Sequence, residues 1–385
     1  MKTLRYAVIG TGMMGHEHLR NLALVSEHHE WDVQVVALID PDAPMLESAV
    51  ALARSLGNSQ ATGFSHLHKL DPETVDAYLI VSPNFTHHEI ITQLLPTGKP
   101  ILAEKPVCTT IAQCDDLLHK LEDYPSPFWV AMEYRYMPPT ARFIERLSSG
   151  EIGTLRMLSI KEHRFPFLEK VGDWNRFSKN TGGTLVEKCC HHFDLMRLMV
   201  GAEPVRIFAS GAIDVNHLDE RYDERVPDII DNAFVIVDFA NGVRASLELC
   251  MFADGADPQE QLTAIGEKGK LDAFIPGPDR FWSGERERPT RVVFSPRDRS
   301  EPQVDTIVVD EALAAAGDHH GSTYYQHVQF IRAVLEGGRI EVSAEDGVKA
   351  VRMGAAAQES IRMGCAIEID QFTNVAPLSA SGIAQ

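Results

Sequence analysis

Short apolar segments alternate with amphipathic segments over the first third of the chain. The apolar runs "RYAVIG", "WDVQVVALID", "VDAYLIVSP" and "PILAEKP" have the length of buried strands. Between them, segments such as "GHEHLRNLALVSEH" and "APMLESAVALARSLG" place apolar residues three and four positions apart, as in helices packed on one face. Strand and helix units repeated in this order predict a doubly wound parallel sheet.

The pattern changes after a proline-containing stretch near residues 123–126. The segments "TLRMLSIKEHRF", "VRIFASGAI", "DNAFVIVDFANGVRASLELCMF" and "LTAIGEKGKLDAFI" read as strands, and Asn241-Gly242 between two of them predicts a type I′ hairpin. They predict a large, open-faced, mostly antiparallel sheet with one face packed on helices. We therefore predict an α/β protein with a doubly wound domain over residues 1–125, an α+β domain over 126–371 and a loose tail over 372–385.

The composition limits the classes of partner. The chain has 385 residues with 44% hydrophobic and 24% charged residues, and its formal net charge is -19. This acidic balance argues against nucleic acid and against an anionic membrane surface as partners. Apolar runs are strand-sized, the amino terminus does not resemble a signal peptide, and the six cysteines form no disulfide pattern. These features predict a cytoplasmic protein with free thiols.

A glycine motif marks a nucleotide site. Gly10, Gly12 and Gly15 spell G-x-G-x-x-G between a strand and a helix, the Rossmann arrangement in which a pyrophosphate approaches the backbone at the helix start. Asp40 ends the next strand, where its carboxylate can accept hydrogen bonds from a ribose diol. The following residues, "PDA", carry no cation for a 2′-phosphate. The motif therefore predicts NAD rather than NADP as the cofactor.

A lysine follows another strand of the same sheet. Lys105, in "AEKP", stands at the carboxyl end of a predicted parallel strand, which is where ligands bind in doubly wound folds. Pro106 removes a backbone donor and stiffens the turn. A lone lysine is more often a solvated surface residue, so its position alone does not assign it a chemical role.

Several motifs together resemble the glucose–fructose oxidoreductase and inositol dehydrogenase family, known as Gfo/Idh/MocA. The resemblance rests on "AVIGTGMMGHEH", "VSPNFTHHE", "AEKP", "YRYMPP", "GEIGTL" and "TGGTLVEKCCHHFDLMRLMVG". It implies a dehydrogenase or reductase acting on a sugar, inositol or related polyol, and a homodimer or homotetramer formed through the second domain's sheet. It also implies that a lysine and an Asp-x-x-x-His pair surround the nicotinamide.

The resemblance and the motifs together give three sets of candidate residues. The catalytic candidates are Lys105, His191 and Glu187. The cofactor-binding candidates are Gly10, Gly12, Met13, Met14, Gly15, Asp40, Ser82, Asn84, His87, Glu104 and Lys105. The substrate-binding candidates are Lys105, Arg135, His163, Trp174, Arg176, Glu187, His191 and Tyr324.

The run "EKCCHH" admits more than one interpretation. If a helix begins at Thr184, Glu187 and His191 lie four apart on one face, and the family pattern places them at its Asp and His positions. Adjacent cysteines do not chelate one metal readily, so we predict no metal site and treat Cys189 and Cys190 as small buried residues. Thr184 and Glu187 also form the sequence of a capping box, in which the glutamate only caps the helix. The role of Glu187 stays open between substrate contact, orientation of His191 and capping.

The residues predict a specific reaction, and two alternative functions compete with it. We predict that hydride leaves a carbinol carbon for the nicotinamide while His191 takes the hydroxyl proton and Lys105 stabilises the charge on the oxygen. One rival is an NAD-dependent glycosidase that oxidises its substrate transiently. The other is an NAD-binding regulatory protein without catalysis, for which the Lys105 and His191 pair would serve no purpose.

Overall fold

The computed structural model describes residues 2–282 and 288–372. The strands are β1 Lys2–Ile9, β2 Trp31–Ile39, β3 Thr62–Phe64, β4 Ala77–Ile80, β5 Ile101–Glu104, β6 Phe128–Ala131, β7 Leu155–His163, β8 Pro204–Ala212, β9 Asn232–Phe239, β10 Arg244–Cys250, β11 Glu260–Gly266, β12 Gly269–Ile275, β13 Thr290–Pro296, β14 Gln303–Ile307 and β15 Ile367–Glu368. The α-helices are α1 Met13–His28, α2 Ala43–Ser55, α3 His87–Leu94, α4 Ile111–Leu121, α5 Pro138–Ser148, α6 Ser178–Thr181, α7 Thr184–Glu187, α8 Cys190–Val200, α9 Glu311–Ala316, α10 Ser322–Glu336 and α11 Ala344–Met363.

The chain divides into two compact units. The first comprises Met1–Tyr136, Lys170–Gly172 and Asp310–Val348, and the second comprises Met137–Glu169, Asp173–Val309 and Lys349–Gln385. The division differs from the continuous domains expected from the sequence, because strand β6 and helix α10 both belong to the first unit. The tail predicted over 372–385 lies outside the described residues except for Phe372, which is buried.

The first unit is built on a parallel six-stranded sheet. Its strand order is β3-β2-β1-β4-β5-β6, and every neighbouring pair is parallel, as the alternation of strands and helices predicted. The central strands β1, β4 and β5 are buried along most or all of their length, so they read as continuous apolar runs. Helix α10 packs on α1 although the two are separated by almost the whole chain.

The second unit is built on a nine-stranded mixed sheet. Its order is β14-β13-β12-β11-β7-β10-β9-β8-β15, and only β7 and β10 pair in parallel. Along β7, Leu158, Ile160 and Glu162 are buried while the residues between them are more exposed. One face of the sheet is therefore covered and the other is open, as predicted. Helix α8 contacts the sheet at β7.

The predicted hairpin forms, but its turn is of another type. Phe239 N donates to Val243 O at 3.0 Å and Gly242 N donates to Phe239 O at 2.9 Å. Within this turn only Gly242 has a positive φ, +82°, whereas type I′ requires positive φ at both central residues. The connection is a three-residue loop with glycine in the left-handed position, so the expectation of a type I′ turn from Asn241-Gly242 was wrong.

The open face of the second sheet carries large apolar side chains. Phe208 on β8 pairs with Ile236 on β9, and both are exposed. The exposed apolar residues with outward positions are Met157 on β7, Phe208 on β8, Phe234 and Ile236 on β9 and Ile265 on β11. They form two groups, because the outward residues of β10, between β7 and β9, are Arg244, Ser246 and Glu248. Exposed apolar groups of this kind are typical of interaction sites. Among the described residues, no helix has the length and hydropathy required to cross a membrane.

Candidate active site

The glycine turn leaves space where a nucleotide backbone would approach. Gly10 N donates to Ile39 O at 2.9 Å, and Gly10 has φ +96°. A Cβ on Gly10 would lie 2.5 Å from Ser82 N, and a Cβ on Gly15 would lie 2.7 Å from Gly10 O. A Cβ on Gly12 would meet nothing within 4 Å. Close packing therefore requires glycine at positions 10 and 15, and Gly12 leaves the turn open at the start of α1.

Asp40 is held beside this turn. Its Oδ2 accepts from Thr11 N at 2.8 Å and from Thr11 Oγ1 at 2.9 Å, while its Oδ1 accepts from Asp42 N at 2.9 Å. The side chain is partly exposed, and a carboxylate has further lone pairs for a ribose diol. Asp42 adds a second negative charge next to it. The position therefore fits the ribose of NAD and repels a 2′-phosphate, as predicted.

Buried polar groups near the turn also fit an adenine dinucleotide. Gly12 caps α1 without any side-chain bond, and Met13 and Met14 begin the helix. Asn84 is buried at the carboxyl end of β4, and its Nδ2 has no hydrogen-bond partner among the described residues. Ser82 Oγ and Thr86 Oγ1 are 2.7 Å apart. The open helix start and the unsatisfied amide are the features that a dinucleotide would satisfy.

The ring of His87, one of the cofactor-binding candidates, is enclosed by the protein backbone. Its ring is fully buried, with Nδ1 2.8 Å from Pro106 O and Nε2 2.9 Å from Ser82 O. Burial lowers the pKa of His87. The side chain therefore braces the loops after β4 and β5, and both ring nitrogens already face backbone carbonyls. A cofactor contact through its ring is not supported by this geometry.

Lys105 follows β5 at the carboxyl edge of the sheet. Its backbone N donates to Glu104 Oε2 at 3.2 Å, and its side chain is partly exposed. Glu104 is buried, and its Oε1 lies 3.0 Å from His18 Nε2. Burial alone would raise the pKa of Glu104, but the hydrogen bond and charge of His18 and the charge of Lys105 outweigh it and lower the pKa. Glu104 is therefore an ionised, buried support of the turn that carries Lys105.

Glu133 joins this group and was missed from the sequence. Glu104 pairs with Ala131 in the sheet, so Glu133, two residues after β6, lies beside the residues that follow β5. Glu133 is buried, and burial first and the charge of Glu104 second raise its pKa to about 7. The position of Glu133 just after a strand of the parallel sheet could have indicated it, but the motif "EYRY" led us to predict Arg135 as a substrate contact instead.

The helix that carries Glu187 and His191 is interrupted between them. Helix α7 ends at Glu187 and α8 begins at Cys190, with Cys189 N donating to Thr184 O at 3.4 Å, five residues back. Glu187 and His191 are both buried in the second unit. The expectation of one continuous helix through Glu187 and His191 was therefore wrong, because the i→i−4 hydrogen bonds end at Lys188 N, which donates to Thr184 O at 2.9 Å.

The capping-box interpretation of Glu187 is also wrong. The residue before α7 is Gly183, which makes no side-chain cap, and Thr184 is the first helical residue. Thr184 Oγ1 donates to Ile230 O at 2.6 Å instead of capping the helix. A capping box requires the threonine in the cap position, so Glu187 has another role than closing that box.

A buried charge cluster lies beneath this helix. Glu162, on the covered face of β7, has Oε1 2.9 Å from Lys188 Nζ and Oε2 3.0 Å from His192 Nε2. Arg164 Nη1 lies 3.4 Å from Glu162 Oε1. Burial alone would raise the pKa of Glu162, but the charge of Lys188 and the contacts of His192 and Arg164 hold it far below its usual range. The sequence reasoning missed this cluster, although strand alternation in "LSIKEH" predicts a buried Glu162.

The cysteines behave as predicted. Cys189 and Cys190 are fully buried, and burial raises the pKa of Cys189 well above its usual value. All six cysteines are free thiols. Over residues 2–282 and 288–372, no three His, Cys, Asp or Glu residues are grouped to hold a metal ion.

Two predicted substrate contacts lie away from the candidate residues of their own unit. His163 Nε2 is 2.9 Å from Glu248 Oε1 on the open face of the sheet, whereas α8 packs on the covered face with Glu162. Tyr324 Oη lies 3.1 Å from His29 Nε2 and 3.3 Å from His28 Nδ1, at the end of α1 opposite the glycine turn. Substrate binding by His163 and Tyr324 is therefore not supported.

The remaining predicted substrate contacts have partners inside their own units. Arg135 Nη1 donates to Glu341 O at 2.7 Å, and Arg176 Nε donates to Glu220 Oε2 at 3.0 Å. Arg176 is buried, and Trp174 lies two residues before it in a short 3₁₀ helix. Substrate binding by these three side chains stays a prediction.

Two family profiles match the chain. The profile described as "Oxidoreductase family, NAD-binding Rossmann fold" matches residues 4–132. The profile described as "Oxidoreductase family, C-terminal alpha/beta domain" matches residues 144–369. The prediction of NAD as cofactor is thereby confirmed, and the glycine turn and Asp40 are the residues that fit it.

Several proteins similar to this chain are dehydrogenases. This chain is 24% identical over 363 residues to inositol 2-dehydrogenase of Rhizobium meliloti, and the match covers 93% of this chain and 97% of the relative. It is 25% identical over 372 residues to myo-inositol 2-dehydrogenase of Thermotoga maritima, which covers 96% and 99%. The structure of levoglucosan dehydrogenase with NADH and levoglucosan matches with a TM-score of 0.78 at 22% identity, over 96% of this chain and 100% of that chain. This last match shows a shared fold.

Proposed function

The chain belongs to the Gfo/Idh/MocA oxidoreductase family and binds NAD, and from this premise we propose that it is a dehydrogenase of a sugar, inositol or related polyol. The proposed reaction oxidises a secondary alcohol. Relatives that act on inositol and a structural neighbour that binds levoglucosan support this class of substrate. The cytoplasmic location predicted from the free thiols stays a prediction.

One observation carries the proposal. The glycine turn after β1, Asp40 after β2, Asn84 after β4 and Lys105 after β5 all stand at the carboxyl edge of one parallel sheet. Ligands of doubly wound folds bind outside this edge. A lysine at the same edge as the dinucleotide turn is suitably located to act on a substrate presented to the cofactor.

The proposed chemistry divides proton and charge between two side chains. Bound NAD supplies the hydride acceptor. His191 takes the hydroxyl proton as general base. Lys105 donates a hydrogen bond to the same oxygen and stabilises its developing negative charge. Glu187 either orients the imidazole or binds a neighbouring hydroxyl group.

The structure of each unit supports these assignments separately. Lys105 is anchored through its backbone N to an ionised Glu104, and its side chain reaches solvent. His191 is the second residue of α8, next to the break that follows Glu187, and the side chains of Glu187 and His191 are both buried. Glu187 and His191 are polar side chains, so their burial near a helix start favours a chemical role over a role in apolar packing.

The proposal is tested by a substrate screen with NAD and NADP. Inositols, aldoses, anhydrosugars and glycosides are incubated with the protein, and reduced cofactor is measured by absorbance. We expect NADH formation with at least one polyol or sugar and slower turnover with NADP, because Asp40 and Asp42 repel a 2′-phosphate. Glycoside cleavage without net NADH would indicate the glycosidase instead. Binding of NAD without turnover of any compound would indicate the regulatory protein.

The residue assignments are tested on the substrate that the screen identifies. Lys105→Ala and His191→Ala should each lower kcat at least a hundredfold while the Kd for NAD stays within about threefold. Lys120→Ala, which removes a lysine from the surface of α4, is the matched control and should retain wild-type turnover. Near-normal kcat in both test variants would refute the assignments.

We also propose that a second copy of the chain covers the open face of the second sheet. The exposed side chains of Met157, Phe208, Phe234, Ile236 and Ile265 support this proposal, because burial of such a surface favours association. Sedimentation velocity of the full chain tests it. A monomer at micromolar concentration would contradict it.

A further inference from the structure

A buried chain of hydrogen bonds runs from the turn of Lys105 into the interior of the first unit. Lys105 N donates to Glu104 Oε2 at 3.2 Å. Glu104 Oε1 lies 3.0 Å from His18 Nε2, and His18 Nδ1 lies 2.8 Å from His327 Nε2. These hydrogen bonds therefore connect the end of β5 to α1 and α1 to α10, and the residues at their two ends are far apart in the sequence.

Burial determines the protonation along this chain. His18 and His327 are fully buried, and burial lowers the pKa of His327 well below its usual value, so that ring is neutral. Glu104 is ionised and can only accept, so His18 Nε2 carries the proton of their bond. His18 Nδ1 and His327 Nε2 share the one proton of their bond. This contact and the bond to Glu104 together fix the orientation of the His18 ring.

We propose that His327 is a positioning residue for Lys105. His327 holds the His18 ring in the orientation in which Nε2 donates to Glu104, and Glu104 in turn holds the backbone N–H of Lys105. The catalytic part of this inference rests on the proposed function of Lys105. Shifts of about 1 Å in a reacting group lower rates substantially, so a side chain two steps removed from the turn affects turnover.

A purely structural role for His327 makes different predictions. Helices α1 and α10 are also joined by Thr323 Oγ1, which donates to Glu17 Oε1 at 2.7 Å. If His327 only joined the two helices, its loss would lower stability and leave both the turn of Lys105 and the kinetic constants unchanged. The experiment therefore measures the turn directly in addition to stability.

Three variants separate these roles. His327→Leu removes the hydrogen-bond partner of His18 Nδ1, whereas in His327→Gln the side-chain amide can still form a hydrogen bond with His18 Nδ1. Gln326→Leu is the matched control, because Gln326 is fully buried on the same helix and its amide has no hydrogen-bond partner among the described residues. All three variants are compared with the full-length protein by urea unfolding before any other measurement.

The activity-independent readout is NMR of the NAD-bound protein. The Lys105 amide is observed with ¹⁵N-lysine and assigned by its absence in Lys105→Arg, and ring tautomers are observed with ¹⁵N-histidine. We expect a proton on His18 Nε2 in the wild type, changed His18 ring signals and a shifted Lys105 amide in His327→Leu, and wild-type signals in His327→Gln and Gln326→Leu. An unmoved Lys105 amide in His327→Leu would overturn the proposal.

Kinetics then test the catalytic consequence. On the substrate found in the screen, His327→Leu should lower kcat about tenfold with an unchanged Kd for NAD, and His327→Gln should recover kcat to within about threefold of wild type. Equal kcat in His327→Leu and Gln326→Leu would overturn the positioning role even if stability falls. If the wild type turns over no compound, the proposed function fails, and the NMR result alone decides whether His327 positions the turn.

Discussion

Removal of the buried carboxylate Glu162 should strongly destabilise the protein. Glu162 is fully buried, with Lys188 Nζ at 2.9 Å and His192 Nε2 at 3.0 Å. Glu162→Gln keeps the shape of the side chain but removes the carboxylate 2.9 Å from the Lys188 ammonium and leaves Glu260 as an anionic neighbour. A poorly compensated charge then remains in the interior or the lysine loses its proton, and both outcomes reduce the free energy of unfolding.

The size of the effect follows from the distance and the burial. At 2.9 Å the attraction between Glu162 and Lys188 is roughly 6 kcal/mol for an effective dielectric constant of about 20. The desolvation of both groups opposes much of this attraction, but breaking one side of such a pair costs about 3–5 kcal/mol. We therefore expect Glu162→Gln to lose about 3–5 kcal/mol at pH 7. Replacement of both partners by leucine should cost clearly less than the sum of the two single changes.

The pH dependence provides a second measurement. The folded-state pKa of Glu162 lies far below its ordinary value of 4.5. Its contribution is therefore fully present above about pH 4.5 and is lost as the pH falls towards the folded pKa. The stability difference between wild type and Glu162→Gln should be largest at neutral pH and should narrow below about pH 4.5.

Urea unfolding of the wild type, Glu162→Gln, Glu162→Leu, Lys188→Leu and the Glu162→Leu/Lys188→Leu double variant tests this reasoning, with the two leucine variants as the singles of the double variant. A loss below about 1 kcal/mol in Glu162→Gln would refute it, because the buried pair would then contribute little. A double variant as unstable as the sum of the singles would refute the coupling between Glu162 and Lys188.

Two further predictions concern the first unit. Gly10→Ala should weaken NAD binding at least tenfold and lower the free energy of unfolding more than Gly57→Ala does. Both glycines have φ near +97°, but only a Cβ on Gly10 meets backbone, 2.5 Å from Ser82 N. Equal losses of stability in the two variants, measured by calorimetry, would contradict the close approach at Gly10. The pKa of Glu133 is raised to about 7, so its stabilising protonated form is lost as the pH rises from about 4.5 to 7. In the absence of NAD, the free energy of unfolding of Glu133→Gln relative to wild type should therefore rise by about 3 kcal/mol between pH 5 and pH 8. Parallel curves of stability against pH for the two proteins would contradict the raised pKa of Glu133.

The nucleotide turn could be predicted from sequence because its determinants are local. Gly10, Gly12 and Gly15 lie within six positions, and their spacing sets the turn, the helix start and the close approach to backbone. Asp40 is also local in effect, since it ends the strand that pairs with β1. The same holds for the alternation along β7, which indicates a covered and an open face.

The supports of the candidate site could not be predicted in this way. His18 and His327 are 309 positions apart, and neither belongs to a motif that refers to the other. Glu133 acquires its raised pKa from burial and from Glu104, which another strand supplies. These properties arise when separate segments exclude water from a shared space, and no short window of the sequence contains that information.

The segment from Thr184 to His191 separates the two contributions most clearly. The sequence by itself determined which side chains are available there: a carboxylate, an imidazole and two small thiols suited to burial. Only the tertiary structure decided that the helix breaks between Glu187 and His191. Thr184 donates to Ile230 O, and a Cβ on Gly354 would lie 2.4 Å from Leu185 O, so neighbouring segments hold this backbone closely. Because packing and hydrogen bonds from distant residues outweigh the few tenths of a kcal/mol per residue of helix propensity, spacing alone could not predict the geometry.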